Sequence, residues 1–266
     1  MKSIENDRPL GQYTNNPFET ETRLYDKQHQ PSDIPVTVVV PDFYHVALPN
    51  LGHQMVEYQL NHVPGVSADR AYLSSGYKLL KETPEVKPEL VFVSMSYEGS
   101  YLRSLRALDL MSIPLRRQDR KEGYPLVVFG GWSVSRNPLP LFEIADIIGV
   151  GDSEHLVTDI ATAYKENRDS KQGIFDSLAE KRGIIIPSRY KVETENGRLI
   201  TWEAKGVPSE IYPNESTVFP HSWYLSPETD YNDIGYYDGK TFFSMEIVDA
   251  CASKCAFCAS GYKKQS

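Results

Sequence analysis

The sequence predicts an α/β protein: a doubly wound parallel sheet, followed by a connector and the start of a second unit. Three features carry that prediction. Four apolar runs, Val36–Val40, Leu90–Val93, Leu126–Phe129 and Ile147–Val150, are continuous rather than alternating, as strands covered on both faces require. Segments with helical spacing separate them, which is the pattern of helices laid on both faces of a parallel sheet. The chain has 266 residues, 40% of them hydrophobic and 24% charged, enough apolar content for a sizeable core.

Taken in order, residues 1–33 read as a polar tail. Residues 34–166 hold the α/β domain. After the run at Val36–Val40, apolar spacing at Leu48, Leu51, Met55 and Val56 predicts a helix with Pro49 near its first turn. Ala71–Leu73 is a weaker candidate strand. Tyr101, Leu105 and Leu108 mark a second helix, and Val157, Ile160, Ala161 and Tyr164 a third. Residues 167–240 read as a connector. Gly173–Lys181 is expected to form a short helix. Ile184–Ile186 and Tyr190–Val192 are expected to face Leu199–Trp202 across Asn196-Gly197, a strong hairpin signal. From Val207 to Tyr237 prolines, tyrosines and acidic residues predict an extended segment. Thr241–Val248 has the β-branched and aromatic content of a strand, so residues 241–266 read as the start of another unit.

The formal net charge is −8, with no lysine/arginine-rich block, which argues against nucleic acid as a partner. Lys2, Glu5, Asp7 and Arg8 interrupt any apolar stretch at the start of the chain, unlike a secretory signal. No run approaches the ~18 apolar residues that span a bilayer. The expectation is a cytoplasmic protein with no membrane partner.

All three cysteines fall within eight positions, as Cys251-Ala-Ser-Lys-Cys255-Ala-Phe-Cys258. An odd number in a chain without an export signal disfavours disulfides. Structural zinc needs four ligands, and the nearest histidine, His221, lies thirty residues upstream. Three thiolates suit a cubane iron–sulfur cluster with one iron left open to a small molecule. A zinc-stapled binding module and an iron–sulfur electron-transfer protein stay open as alternatives, although the latter normally uses four thiolates.

The spacing C-x3-C-x2-C, with the aromatic Phe257 before the last cysteine, resembles the signature of the radical S-adenosylmethionine (radical SAM) superfamily. The resemblance implies that Cys251, Cys255 and Cys258 ligate a [4Fe–4S] cluster and that Phe257 packs beside the adenine of S-adenosylmethionine. It further implies a reducing electron donor and a 5′-deoxyadenosyl radical as the product of cofactor cleavage. Glu246 resembles a frequent family residue on the preceding strand. Asp249-Ala250 departs from the Arg-Gly that often precedes the first cysteine, which weakens assignment to a subgroup. Only eight residues follow Cys258, whereas a barrel of this type typically needs ~200. The chain is therefore expected to hold only the first strand and cluster loop of a radical SAM barrel.

Ligands of doubly wound sheets bind beyond the carboxyl ends of the strands. Those ends carry Pro41-Asp42, Ser94-Met95-Ser96 and Gly130-Gly131. Neither G-x-G-x-x-G after a strand nor a P-loop motif is present. The stretches Gly130–Pro138 and Ile148–Glu154, with an α/β domain placed before the cysteines, resemble radical SAM enzymes with an amino-terminal cobalamin-binding, Rossmann-like domain. This resemblance implies cobalamin as a possible second cofactor, with Ser94, Gly130 and Gly131 offering close approach. The Asp-x-His-x-x-Gly of related cobalamin domains is absent: Asp42-Phe-Tyr-His45 has one residue too many, and Leu48 stands near the expected glycine. His45 and His53 are therefore read as a loop and a helix-surface histidine. The methylthiotransferases of the superfamily carry further amino-terminal cysteines, and this chain has none before Cys251.

Overall fold

A computed structural model describes residues 16–27, 30–74, 78–216, 221–225, 243–247, 253 and 255–258. The chain enters through a short helix, α1 (Pro17–Thr20), and a two-residue strand, β1 (Thr22–Arg23). Then come β2 (Ile34–Phe43), α2 (Tyr44–Ala47), α3 (Leu51–Asn61), β3 (Val66–Ser74) and β4 (Lys78–Lys81). The alternation continues with β5 (Leu90–Ser94), α4 (Ser100–Leu110), β6 (Leu126–Gly130), α5 (Trp132–Arg136) and β7 (Ile147–Gly149). It closes with α6 (Leu156–Glu166), α7 (Lys171–Leu178) and β8 (Ile184–Ile185), followed by β9 (Tyr190–Glu195), β10 (Arg198–Ala204) and β11 (Tyr224–Leu225).

Among the described residues, seven strands form one sheet in the order β4-β3-β2-β5-β6-β7-β8. The five inner strands are parallel, and β4 and β8 close the edges antiparallel. Both faces are buried, as the continuous apolar runs require. Val36, Val38, Phe92 and Val128 pack with Leu60 of α3, Ile160 of α6 and Leu178 of α7. Val39, Val91, Val93 and Phe129 pack on the opposite face with Ala107 and Leu108 of α4 and Val134 of α5. No helix among the described residues is long and apolar enough to cross a membrane.

Several elements differ from the sequence reading. α3 begins at Leu51, because Asn50 caps it by accepting a bond from the Gly52 amide at 2.8 Å. Pro49 thus lies immediately before the cap, near the first turn, and Leu48 falls outside the helix. β3 runs nine residues where only Ala71–Leu73 stood out, because Asp69 and Arg70 interrupt its apolar pattern. Both charges are paired, with Lys27 and with Glu21 and Glu82 respectively. The sheet extends beyond the 34–166 segment: Ile184–Ile185, expected in the connector, pairs with β7. The hairpin β9–β10 forms as expected, with positive φ at both Asn196 and Gly197. Residues 243–247, expected within a strand, make one antiparallel bridge, Met245 to His221, rather than a ladder. Phe243, Met245 and Ile247 are all more than half exposed there, so no sheet layer covers that segment among the described residues.

A third apolar cluster lies against α3 and β3, where β1 pairs with β11. Arg70 is only 1% exposed. Its guanidinium donates to both oxygens of Glu21 and, through Nε, to Glu82 at 3.1 Å. The Tyr224 and Phe18 rings lie 4.0 and 5.1 Å from its central carbon. His53 is fully buried rather than on the helix surface, its Nε2 3.0 Å from the hydroxyls of both Tyr72 and Tyr224. Burial, reinforced by the charge of Arg70, pulls its pKa from 6.5 down to about 3. Burial alone would raise the pKa of Glu82, but Arg70, Lys27 and Arg23 outweigh it and bring the carboxyl to about 2.

Acid should therefore loosen this region in two stages. His53 stays neutral in the fold and takes up a proton once unfolded, so its contribution is complete above pH 6.5 and falls as pH drops toward 3. Glu82 adds to the loss from pH 4.5 down to about 2, where the unfolded carboxyl binds a proton that the folded one resists. In urea titrations between pH 6.5 and 4.5, His53→Gln should lose about 2 kcal/mol less stability than the parent chain, at roughly 1.4 kcal/mol per pH unit. Parallel pH profiles for the two proteins would count against a buried neutral imidazole.

Candidate functional site

Among the five parallel strands the order is β3-β2-β5-β6-β7, so chain progression reverses between β2 and β5. In open α/β sheets the crevice beyond the carboxyl ends at such a reversal is where ligands bind. The register of β2 against β3 shifts between Val40 and Phe43, at Pro41, which has no N–H to give the ladder. That break delivers Asp42 to the crevice. The buried Asp42 carboxylate accepts from the Phe43 amide at 3.0 Å and from Arg103 Nη1 at 2.8 Å. The same Nη1 donates to the Tyr97 hydroxyl at 2.6 Å. Burial first, and the Asp42 carboxylate second, push the Tyr97 pKa up, so the hydroxyl keeps its proton. Asn50, the cap of α3, donates to the Ser96 hydroxyl across the same junction. The sequence marked Asp42 and Ser96 by their position after strands. Arg103, Tyr97 and Asn50 were missed, because only the packing of α3 and α4 brings them there.

Ser94 and Gly130 are paired in register at the ends of β5 and β6. A Cβ on Gly130 would find only the Gly149 carbonyl oxygen, 3.8 Å away, so the floor beside Ser94 is open. Gly131 is a different case. Its φ is +107°, and a Cβ there would lie 2.4 Å from the Met95 carbonyl oxygen. The two loops are fastened at this point: the Met95 amide donates to Gly130 at 2.9 Å, and Ser133 Oγ donates to Met95 at 3.2 Å. Gly151 serves the next junction likewise, with φ +97° and Asn214 backbone where a side chain would be. Chain packing alone thus requires glycine at 131 and 151. His45 falls in α2, and its side chain lies outside what is described.

The cysteine loop is partly described. Cys255 is exposed, Cys258 is half-buried, and neither is in a disulfide. The Cys258 amide donates to the Cys255 carbonyl at 3.0 Å, which closes a turn between them. Phe257 between them is 92% exposed, so it belongs to no core. Cys251 lies outside the described residues, and among those described no three metal-ligating side chains converge.

A mostly parallel sheet of this strand order, with polar side chains gathered at its reversal, defines a doubly wound α/β domain. The chain belongs to the family described as radical SAM proteins, N-terminal, whose model matches residues 52–187, just over half of its length. The match runs from the first turn of α3 to just past β8 and ends before the cysteines. No curated protein and no solved structure matches the chain.

The two neighbouring glycines should separate on substitution. Gly130→Ala should change unfolding free energy by about 1 kcal/mol or less, since the added methyl meets nothing closer than 3.8 Å. Gly131→Ala should cost about 2–4 kcal/mol, because strain at positive φ adds to the collision with Met95. Chemical denaturation of both variants checks this, and equal losses would show that Met95 yields to accommodate a side chain.

Proposed function

We propose that this chain is the amino-terminal part of a radical SAM enzyme, which holds a [4Fe–4S] cluster through Cys251, Cys255 and Cys258. An exposed Cys255 and a half-buried Cys258 that close one turn, on a chain of the radical SAM N-terminal family, carry this reading. Such a turn suits ligation, because it keeps two thiol-bearing residues close together on one loop. Phe257, packed against nothing in the core, is available as an apolar wall for the adenine of S-adenosylmethionine. A cluster held by the three cysteines would, with S-adenosylmethionine bound, supply the one-electron reductive cleavage needed for radical hydrogen abstraction. The protein's part is to ligate, orient and exclude water. A reducing electron donor is the partner this chemistry needs, and thiols that must stay reduced suit a cytoplasmic setting.

A second cofactor is proposed at the carboxyl end of the sheet. The open floor at Ser94 and Gly130, next to the reversal point, supports cobalamin held without a histidine ligand. Ser94 and Gly130 would give it close approach, while Gly131 shapes the loop that carries them. Cobalamin, when bound, would supply a transferable methyl group, with an unactivated carbon as its acceptor.

Anaerobic reconstitution with iron and sulfide should give a brown, oxygen-sensitive protein with one cubane cluster. Changing any one of Cys251, Cys255 or Cys258 to Ala should abolish it, since two thiolates do not retain a cubane. Stoichiometric zinc without iron–sulfur absorption would support the zinc-stapled module instead. For cobalamin the measurement is equilibrium dialysis: retention should be weak, and His45→Ala should leave the bound spectrum unchanged. Complete loss of every cobalamin form to the dialysate would reduce the α/β domain to a scaffold.

A further inference from the structure

Two consecutive residues of α3 hold two consecutive residues of the connector. Gln54, 1% exposed, uses both ends of its amide: Nε2 donates to the Leu48 carbonyl at 2.7 Å, and Oε1 accepts from the Trp223 amide at 2.9 Å. His53 meets the Tyr224 hydroxyl at 3.0 Å. Trp223 stacks on Tyr58, 4.9 Å between centroids, and its carbonyl accepts from the Leu24 amide at 2.7 Å. The residues just before them reach onward toward the cysteines. The Ser222 amide donates to the Ser244 carbonyl at 2.8 Å, and the Ser244 amide donates back to the Ser222 hydroxyl at 2.9 Å. His221 pairs with Met245 and stacks on Phe243.

At its amino end the same turn of α3 touches the reversal point of the sheet, where Asn50 both caps the helix and donates to Ser96. We propose that the first turn of α3 is the positioning element for the segment that leads into the cysteines. It acts through Gln54 and His53 on Trp223 and Tyr224, and from there through Ser222 on Ser244. The α/β domain is then the part that fixes where the cysteine loop begins, and the crevice at the strand ends and the cysteine loop share one rigid support. Ser222 is a positioning residue in this scheme. It is 2% exposed, and its hydroxyl accepts from the Ser244 amide. Its function depends on the cluster reading of the cysteines, but its geometry can be tested without that reading.

The test is amide hydrogen exchange on the full chain, read separately at 221–225, at 243–247 and in β2, β5 and β6. In Ser222→Ala, residues 243–247 should exchange about five- to tenfold faster, as expected for loss of one modest hydrogen bond, while the sheet strands keep their protection. Ser222→Thr, which keeps the hydroxyl, should restore the parent rate. Gln54→Leu, which leaves the Trp223 amide without its acceptor, should accelerate both 221–225 and 243–247. Unchanged exchange at 243–247 in Ser222→Ala, or acceleration confined to 221–225 in Gln54→Leu, would overturn the proposal. After reconstitution, the electron paramagnetic resonance line shape of the reduced cluster should alter in Ser222→Ala and not in Ser222→Thr; an unaltered line shape in Ser222→Ala would overturn the functional half. A parent chain that assembles no cluster would instead defeat the reading of the cysteines, while the exchange data still judge the bridge.

Discussion

A guanidinium taken out of water must be neutralised on every side, and Arg70 imposes that requirement on an edge of this fold. It sits in β3, in the middle of an otherwise apolar strand, at 1% exposure. No single neighbour satisfies it. Glu82 comes from the turn after β4, Glu21 from the entry segment before β1, and the Tyr224 ring from the connector. Removing one partner of such a group typically costs about 3–5 kcal/mol, because the other charges are left buried and unpaired. The network continues through Arg23, which bridges Glu82 to the buried Glu57 of α3. Three segments far apart in sequence are thus drawn to one charge, and the β1–β11 ribbon follows from it. An apolar residue at position 70 would pack the strand and leave those segments without a common anchor.

At the other end of the strands, backbone geometry decides what is available to a ligand. Gly131 and Gly151 each bring two loops to a separation that a methyl group would fill, with Met95 and Asn214 on the far sides. Those junctions hold the rim of the crevice rigid. Asp42, Arg103 and Tyr97 then form a polar set whose hydrogen bonds run among themselves. The buried carboxylate fixes the arginine, and the arginine fixes the phenol. Gly130, in register with Ser94, is left uncrowded by comparison, since an added Cβ would meet only the Gly149 carbonyl oxygen at 3.8 Å.

Much of the fold is legible in the sequence, because strands buried on both faces leave unbroken apolar runs and nothing else in a polar chain resembles them. The exceptions have definite causes. β3 was shortened because Asp69 and Arg70 look like surface residues until their partners arrive from elsewhere in the chain. β4 is not marked by the sequence at all, since Lys78 and Lys81 flank only two apolar residues, as suits charge that protects an open edge. Ile184–Ile185 reads as half a hairpin because a two-residue edge strand has no period of its own. His53 looked exposed because its helix spacing puts it beside polar neighbours, whereas Tyr72 and Tyr224 close over it. At the candidate site the cysteine spacing was legible as local chemistry. Arg103, Tyr97 and Asn50 were not, because their meeting is a product of helix packing, which no local pattern encodes.

The β1–β11 ribbon has a consequence for how the molecule is made. Its two strands, Thr22–Arg23 and Tyr224–Leu225, come from segments far apart in the sequence. At synthesis rates of about 5–20 residues per second, Tyr224 follows Arg70 by roughly 10–30 seconds. Throughout that interval the parallel strands are emerging and can pair, while one face of a buried cation lacks its ring and the entry segment lacks its partner strand. The nascent domain therefore carries an unfinished flank that is closed only when the connector leaves the ribosome. Closure of that flank comes just before delivery of the cysteine segment, because Ser222, which receives Ser244, is two residues from Tyr224 on the chain.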